Sequence, residues 1–308
     1  MPTASNPFDR AVLLAVTVKM LGVSRKVDTA EVEVSTDKDL LRVSKRILDC
    51  EEYDAIKKTV QTLKKYLKLR AVPGVKFVKG GIFPIPTSRI EEVDAKVTDF
   101  IRAFESDVAT FLACYERRKS EAIARLEDLG DTDDYPPIAK VRVSFLITTD
   151  YVTLGPPQSL ASINREMYDR ESEKLKAKFQ EAAVQVQDAM RVMFSDLLAH
   201  AVDRLKPDED GKRKRFNASL IGNFREFIDT FADRNITDDA ELAKLVGQMR
   251  GVLEGRDAES IRKNTDVRAF VTEQVVDMKA QMDRMLADRP SRAITMDEAE
   301  PADSEGVK

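Results

Sequence analysis

Two long stretches of the chain place apolar side chains at steps of three and four, the spacing that lines one face of an α-helix. In the first, the stripe is Ile90, Val93, Val97, Phe100, Phe104, Phe111 and Tyr115; in the second it is Phe179, Ala182, Val186, Met190, Met193 and Leu197. Each stripe predicts a helix of many turns with a coiled-coil-like seam. The first ends near Leu129 and the second runs from Ser159 to near Leu205. Thr87-Ser88 followed by Glu91 offers a capping box for the first helix. Gly130 and Pro136-Pro137 stop it. Two helices of matched length can pair antiparallel within one chain, and a homo-oligomer formed through the same seams is the alternative.

Other segments read differently. Residues 10–27 are rich in β-branched side chains with partial alternation and predict a strand, as do residues 141–154, VRVSFLITTDYVTL. Pro73-Gly74 and Gly80-Gly81 punctuate two short apolar runs, the pattern of a hairpin with a Gly-Gly turn. Residues 51–70 predict a helix, with Ile56, Val60, Leu63 and Leu67 on one face and acids in its first turn. After the charged loop at 206–215, three shorter amphipathic helices are expected at 217–233, 239–253 and 257–286, the last with a break near Asn264. Gly255 stops the second of these, and the run Asn235-Ile236-Thr237-Asp238 offers its N-cap.

The predicted fold is therefore mainly α: a long antiparallel coiled-coil-like helical hairpin with a small β element and a C-terminal helical domain. The boundaries are an N-terminal α+β element at 1–86, the hairpin at 87–205 with a strand insertion near 141–154, a helical domain at 216–287, and an acidic tail at 288–308 expected to be disordered.

Composition narrows the function classes. Of 308 residues, 43% are hydrophobic and 34% charged, enough apolar surface for a sizeable core beneath a highly charged exterior. Trp is absent and aromatics make up 6%, thin for a base-stacking or sugar-binding platform. A net charge of −4 argues against a surface wholly committed to nucleic acid. The opening segment lacks the basic and apolar regions of a secretory signal and no run of 18 apolar residues occurs, so the expected location is cytoplasmic, with no membrane contact. Cys50 and Cys114 have no chelating spacing and read as ordinary thiols.

Catalytic spacings are missing. One histidine, His200, stands alone in a helical stretch and cannot assemble a multi-histidine metal site. The acids at 131–134, 208–210 and 238–239 do not follow a calcium-loop plan and read as solvated loop charge. No phosphate-cradling loop is present, and Lys79-Gly80-Gly81 lies between strands with no helix behind it. No enzymatic activity, cofactor or metal is expected; an enzyme built on carboxylates and a metal is the least favoured reading.

Two basic features remain. One spans residues 45–79 and includes Lys45, Arg46, Lys57, Lys58, Lys64, Lys65, Lys68, Arg70, Lys76 and Lys79; the other is Lys212-Arg213-Lys214-Arg215. Either can contact the phosphates of a nucleic acid or a partner, against the plainer reading of a solvated helix face and a charged loop.

Several segments together resemble a known family: PFDRAVLLAVTV, PGVKFVKGGIFPIP leading into a long helix, and RFNASLIGNFREFIDTFADRNITDDAELAKLVGQMRGVLEG followed by Ile261-Arg262. The chain resembles the bacterial and phage family numbered 3150 among domains of unknown function, over most of its length apart from the tail. The most specific part is the Asn235 to Asp239 run with its flanking helices. The resemblance carries no catalytic residues. It implies a setting in phages and mobile elements, near a MoxR- or CobS-like AAA+ ATPase and a von Willebrand-type (VWA) domain protein. The functional expectation is a non-catalytic structural or adaptor protein with a protein partner; the alternative is a nucleic-acid-binding accessory protein using the two basic patches.

Overall fold

A computed structural model describes residues 7–28, 40–75, 80–156, 158–207, 214 and 216–287. The chain is mainly α-helical, with a small antiparallel sheet, and divides into two compact units. The first comprises residues 1–190 and 223–250, the second 191–222 and 251–308.

In the first unit, β1 (Ala11–Lys19) is the middle strand of a three-stranded sheet, flanked by β4 (Ile82–Pro86) and β5 (Leu146–Val152), both antiparallel to it. A separate ribbon joins β2 (Ser24–Val27) to β3 (Val43–Arg46). The expected strand at 10–27 is thus two strands in different sheets. At the Gly-Gly turn, Gly81 has a φ of 92° and its carbonyl accepts from the Val16 N–H at 2.7 Å. Residues 76–79, which would form the other arm of the expected hairpin, lie outside the described residues.

Helix α1 (Glu51–Arg70) forms where expected. Its acids Glu51, Glu52 and Asp54 sit by the positive end of the helix dipole, and Lys68 and Arg70 by the negative end. Helix α2 (Ile90–Leu126) ends in a 3₁₀ turn at Glu127–Leu129, just before Gly130. The two run antiparallel: Glu52 pairs with Arg118, the Thr59 hydroxyl donates to Asp107, Tyr66 packs on Phe100, and Arg70 pairs with Glu92.

The partner of the α2 stripe is therefore α1 together with the sheet. Val93, Val97, Phe104, Val108, Phe111 and Tyr115 share one core with Ile56, Leu63 and Leu67 of α1, Leu14 and Val16 of β1, and Ile147 of β5. Among the described residues this core takes none from the second long helix, and the helical hairpin it contains is that of α1 and α2. It also crosses the expected boundary at residue 86. Tyr53, Phe111 and Phe145 make its aromatic centre, with ring centroids 5.7 to 6.4 Å apart. Each fully buried Ile, Leu or Phe contributes about 1.5–3 kcal/mol.

Local chemistry departs from the sequence reading in three further places. The capping box does not form: the N-cap of α2 is Arg89, without a side-chain bond, and the Ser88 hydroxyl donates instead to Asp233 at 2.6 Å. Residues 141–143 belong to a short helix, α3 (Ile138–Val143), because the Pro137 carbonyl accepts from the N–H groups of Lys140 and Val141 and starts a turn there. The helix expected from Ser159 is interrupted: α4 (Gln158–Ile163) ends at Asn164, whose side chain accepts from the Met167 N–H and starts α5 (Arg165–Leu205).

On α5 the buried apolar positions are Ala182, Val186 and Met190, then Phe194, Leu198, Ala201 and Leu205. Beyond Met190 the stripe steps to Phe194 rather than Met193, which is 37% exposed. In the first unit, Ala182 and Val186 pack with Phe8, Val72 and Ile236 in a second small core. Gly74 fits under α5 at φ 79°, so close that a Cβ there would lie 2.5 Å from the Gln185 carbonyl oxygen.

Helices α6 (Ala218–Arg234) and α7 (Ala240–Leu253) form as expected. Between them, the Asn235 side chain accepts from the Asp239 N–H at 2.9 Å and Asp239 accepts from the Leu242 N–H at 3.1 Å, so Asp239 is the true cap. Asp238, at φ 50°, turns outward and pairs with Arg10 at 2.8 Å.

In the second unit, α8 (Ala258–Lys263) opens with a capping box between Asp257 and Ser260. The expected break at Asn264 separates it from α9 (Thr265–Ala287), where the Asn264 side chain accepts from the N–H groups of Asp266 and Val267. Val271, Val275, Met278 and Met282 are the buried face of α9. Arg268 is 7% exposed, and its guanidinium donates to the carbonyls of Arg204 and Leu205 at the end of α5 and to that of Lys214. The expected tail at 288–308 lies outside the described residues.

Candidate partner-binding face

The basic residues singled out above separate into three groups. Lys58, Lys64, Lys65 and Lys68 are exposed on α1 and make no ion pair among the described residues. Lys57 joins their face but is half-buried, paired with Asp54 at 2.5 Å and set over the Tyr53 ring.

Arg70 points elsewhere: it pairs with Glu92 of α2 at 3.4 Å and lies over the Tyr66 ring, where it fastens the α1–α2 contact. Lys45 is likewise structural, bonded to Asp134 at 2.6 Å and to the Leu129 carbonyl at 2.7 Å. That pairing removes Asp134 from the solvated loop acids. Arg46 pairs with Asp49 at 2.9 Å.

In the second basic run, Lys214 pairs with Asp203 at 2.6 Å. Lys212, Arg213 and Arg215 lie outside the described residues, as do Lys76 and Lys79.

The helical period explains the surviving face. Lys57, Lys64 and Lys68 fall in one row and Lys58 and Lys65 in the next, opposite Ile56, Val60, Leu63 and Leu67. The rows extend about 16 Å at 1.5 Å per residue. No acid follows Asp54 in α1, so beyond the Asp54–Lys57 pair nothing on the helix itself neutralises this stripe. What it offers chemically is a line of ammonium groups on flexible stems, carried by a helix fixed in the core and able to meet several anionic groups at once.

A second feature was not visible in the sequence. Arg118 of α2 holds Glu52 of α1 in a bidentate pair, at 2.7 Å to Oε1 and 3.0 Å to Oε2, and also donates to Glu121 at 2.9 Å. The Arg118 hydrogen bond is the main cause that draws the Glu52 carboxyl down to about 2. Cys50 and Cys114, distant in sequence, both lie beside this carboxylate, and partial burial raises both thiols above their ordinary value. The signal available in the sequence was only an acid in the first turn of one helix and a base near the end of another.

Asp233 forms a third polar cluster. Burial raises its carboxyl, but the Ser88 hydroxyl and Arg89 guanidinium, at 2.6 and 2.7 Å, outweigh that and leave it lowered.

His200 is exposed on α5. Among the described residues no group of three or more His, Cys, Asp or Glu is placed to hold a metal ion, and no helix is long and apolar enough to cross a membrane. An open hollow of about 280 Å³ in the first unit is lined mainly by apolar groups, among them Phe8, Leu13, Leu154 and Phe179, with Asp9 as its one carboxylate. Comparison with protein-family models, with characterised proteins and with solved structures returns no match to this chain.

Proposed function

We propose that the chain is a non-catalytic adaptor that presents the lysine face of α1 to an acidic surface on a protein partner. The supporting observation is the face of exposed ammonium groups at Lys58, Lys64, Lys65 and Lys68, which make no ion pair among the described residues, on a helix whose opposite face is locked into the core. A charged stripe on a fixed helix gives encounter rate and register to an association, which suits a component that holds another protein in place. The resemblance to the phage and mobile-element family suggests the partner: a MoxR- or CobS-like AAA+ ATPase or a VWA-domain protein encoded nearby. Its test is co-purification of the full chain with that ATPase, and the change in ATPase rate on titrating the chain in. The same titration with Lys58, Lys64, Lys65 and Lys68 changed together to Glu should lose both effects. An unchanged ATPase response in the quadruple variant would remove the lysine face from the reading.

The same face supports a second reading, a nucleic-acid-binding accessory protein, because ammonium groups along one helix edge also suit a phosphate backbone. Low-salt gel shifts with DNA and RNA distinguish the two.

A further inference from the structure

The two edges of the three-stranded sheet are built differently. On β4 the outward side is closed: Pro84 and Pro86 have no N–H to offer, and the Pro84 carbonyl already accepts from the Val72 N–H at 2.8 Å. The other edge, β5, reads LITTDYV, without proline, glycine or lysine, and among the described residues no strand flanks its outer side.

Which main-chain groups face outward follows from the pairing. The Val16 N–H bonds to Gly81 on the β4 side, so in β1 the even-numbered residues address β4 and the odd-numbered ones address β5. Leu13, Ala15, Thr17 and Lys19 sit opposite Val152, Asp150, Thr148 and Leu146. The intervening residues of β5, Ile147, Thr149 and Tyr151, therefore turn their N–H and carbonyl groups to the open edge.

We propose that this edge pairs with the same strand of a second copy of the chain, antiparallel about a two-fold axis at Thr149, to make one continuous sheet across a homodimer. The sequence of β5 is complementary to itself in that register. Thr149 meets Thr149, Ile147 meets Tyr151, and Leu146 meets Val152, while Asp150 meets Thr148, whose hydroxyl can donate to its carboxylate. No like charges oppose one another. The register also brings the outward main-chain groups into directly bonded pairs, giving about six hydrogen bonds between the copies. A shift by one residue would lose this, because bonded positions would then face non-bonded ones.

The test uses the full chain. Sedimentation velocity should show a concentration-dependent dimer, and amide exchange at Ile147, Thr149 and Tyr151 should slow as the dimer forms. Thr148→Asp places two like-charged pairs across the axis and should raise the dissociation constant about tenfold. Thr148→Lys, facing Asp150, should leave the constant unchanged or lower it. A chain that stays monomeric at every concentration overturns the proposal. So does a dimer in which those three amides exchange as fast as in the monomer, or one indifferent to the charge at position 148.

Discussion

Arg268 of α9 donates from Nη2 to the main-chain carbonyl of Leu205, the last residue of α5, at 3.1 Å. The same nitrogen reaches the carbonyls of Arg204 and Lys214, so one buried guanidinium finishes a helix whose final carbonyls have no partner within it. Replacing Arg268 with Ala should destabilise the second unit by about 3 kcal/mol, because buried acceptors lose their donor. Lys, with a single ammonium, should recover only part of this. Urea unfolding followed by circular dichroism of the full-length chain reads both.

The Glu52–Arg118 pair predicts an acid-sensitive contact between α1 and α2. With the folded carboxyl drawn down from its ordinary 4.5 to about 2, the unfolded state binds the proton first as pH falls. The pair's contribution is therefore complete above about 4.5 and is lost progressively towards 2. Glu52→Gln should flatten that part of the stability profile and leave the neutral range with a constant offset. Thermal melts at a series of pH values measure it, and an unchanged acid limb would show that the pair does not govern it.

Gly74 and Gly247 make opposite predictions for the same substitution. At Gly74, φ is 79° and an added Cβ would press on the Gln185 carbonyl oxygen at 2.5 Å and the Ala189 Cβ at 2.8 Å. Gly74→Ala should destabilise the first unit by about 2–4 kcal/mol. Gly247 lies exposed within α7 with nothing near its missing Cβ, and Gly247→Ala should stabilise by about 0.5–1 kcal/mol. Paired chemical denaturation curves compare the two directly.

If the lysine face of α1 holds an anionic partner, binding should weaken steeply with salt, and each Lys→Glu change at positions 58, 64, 65 and 68 should weaken it further. Arg70→Gln behaves differently: it loosens the contact with Glu92 and should lower stability with little effect on salt dependence. Titrations at several ionic strengths, beside melting curves, separate the two kinds of base.

Much of the helical text was legible because periodicity reports burial directly. The α1 stripe of Ile56, Val60, Leu63 and Leu67 is buried as its spacing required, and the break at Asn264 falls where expected. What periodicity cannot report is the partner. The α2 stripe looked like half of a long hairpin, but a stripe of Val and Phe serves equally against α1 and a sheet. Side-chain competition misled in the same way: Thr87-Ser88 had the right letters for a cap, but Asp233, remote in sequence, took the serine hydroxyl. Residues 141–143 carried β-branched density, yet Pro137 started a helical turn ahead of them, and propensity yielded to local hydrogen bonding. On the surface, composition made Arg70 and Lys58 equivalent, and only the positions of Glu92 and Asp134 show which bases are already spent.

The interleaving of the two units has a consequence for synthesis on the ribosome. Residues 223–250 belong with the segment that ends at 190, and residues from 251 onward with those at 191–222. The first unit must therefore wait, incomplete, while a piece of the second emerges, and no single cut in the gene releases either unit whole. A dissection of this protein calls for co-expression of paired fragments.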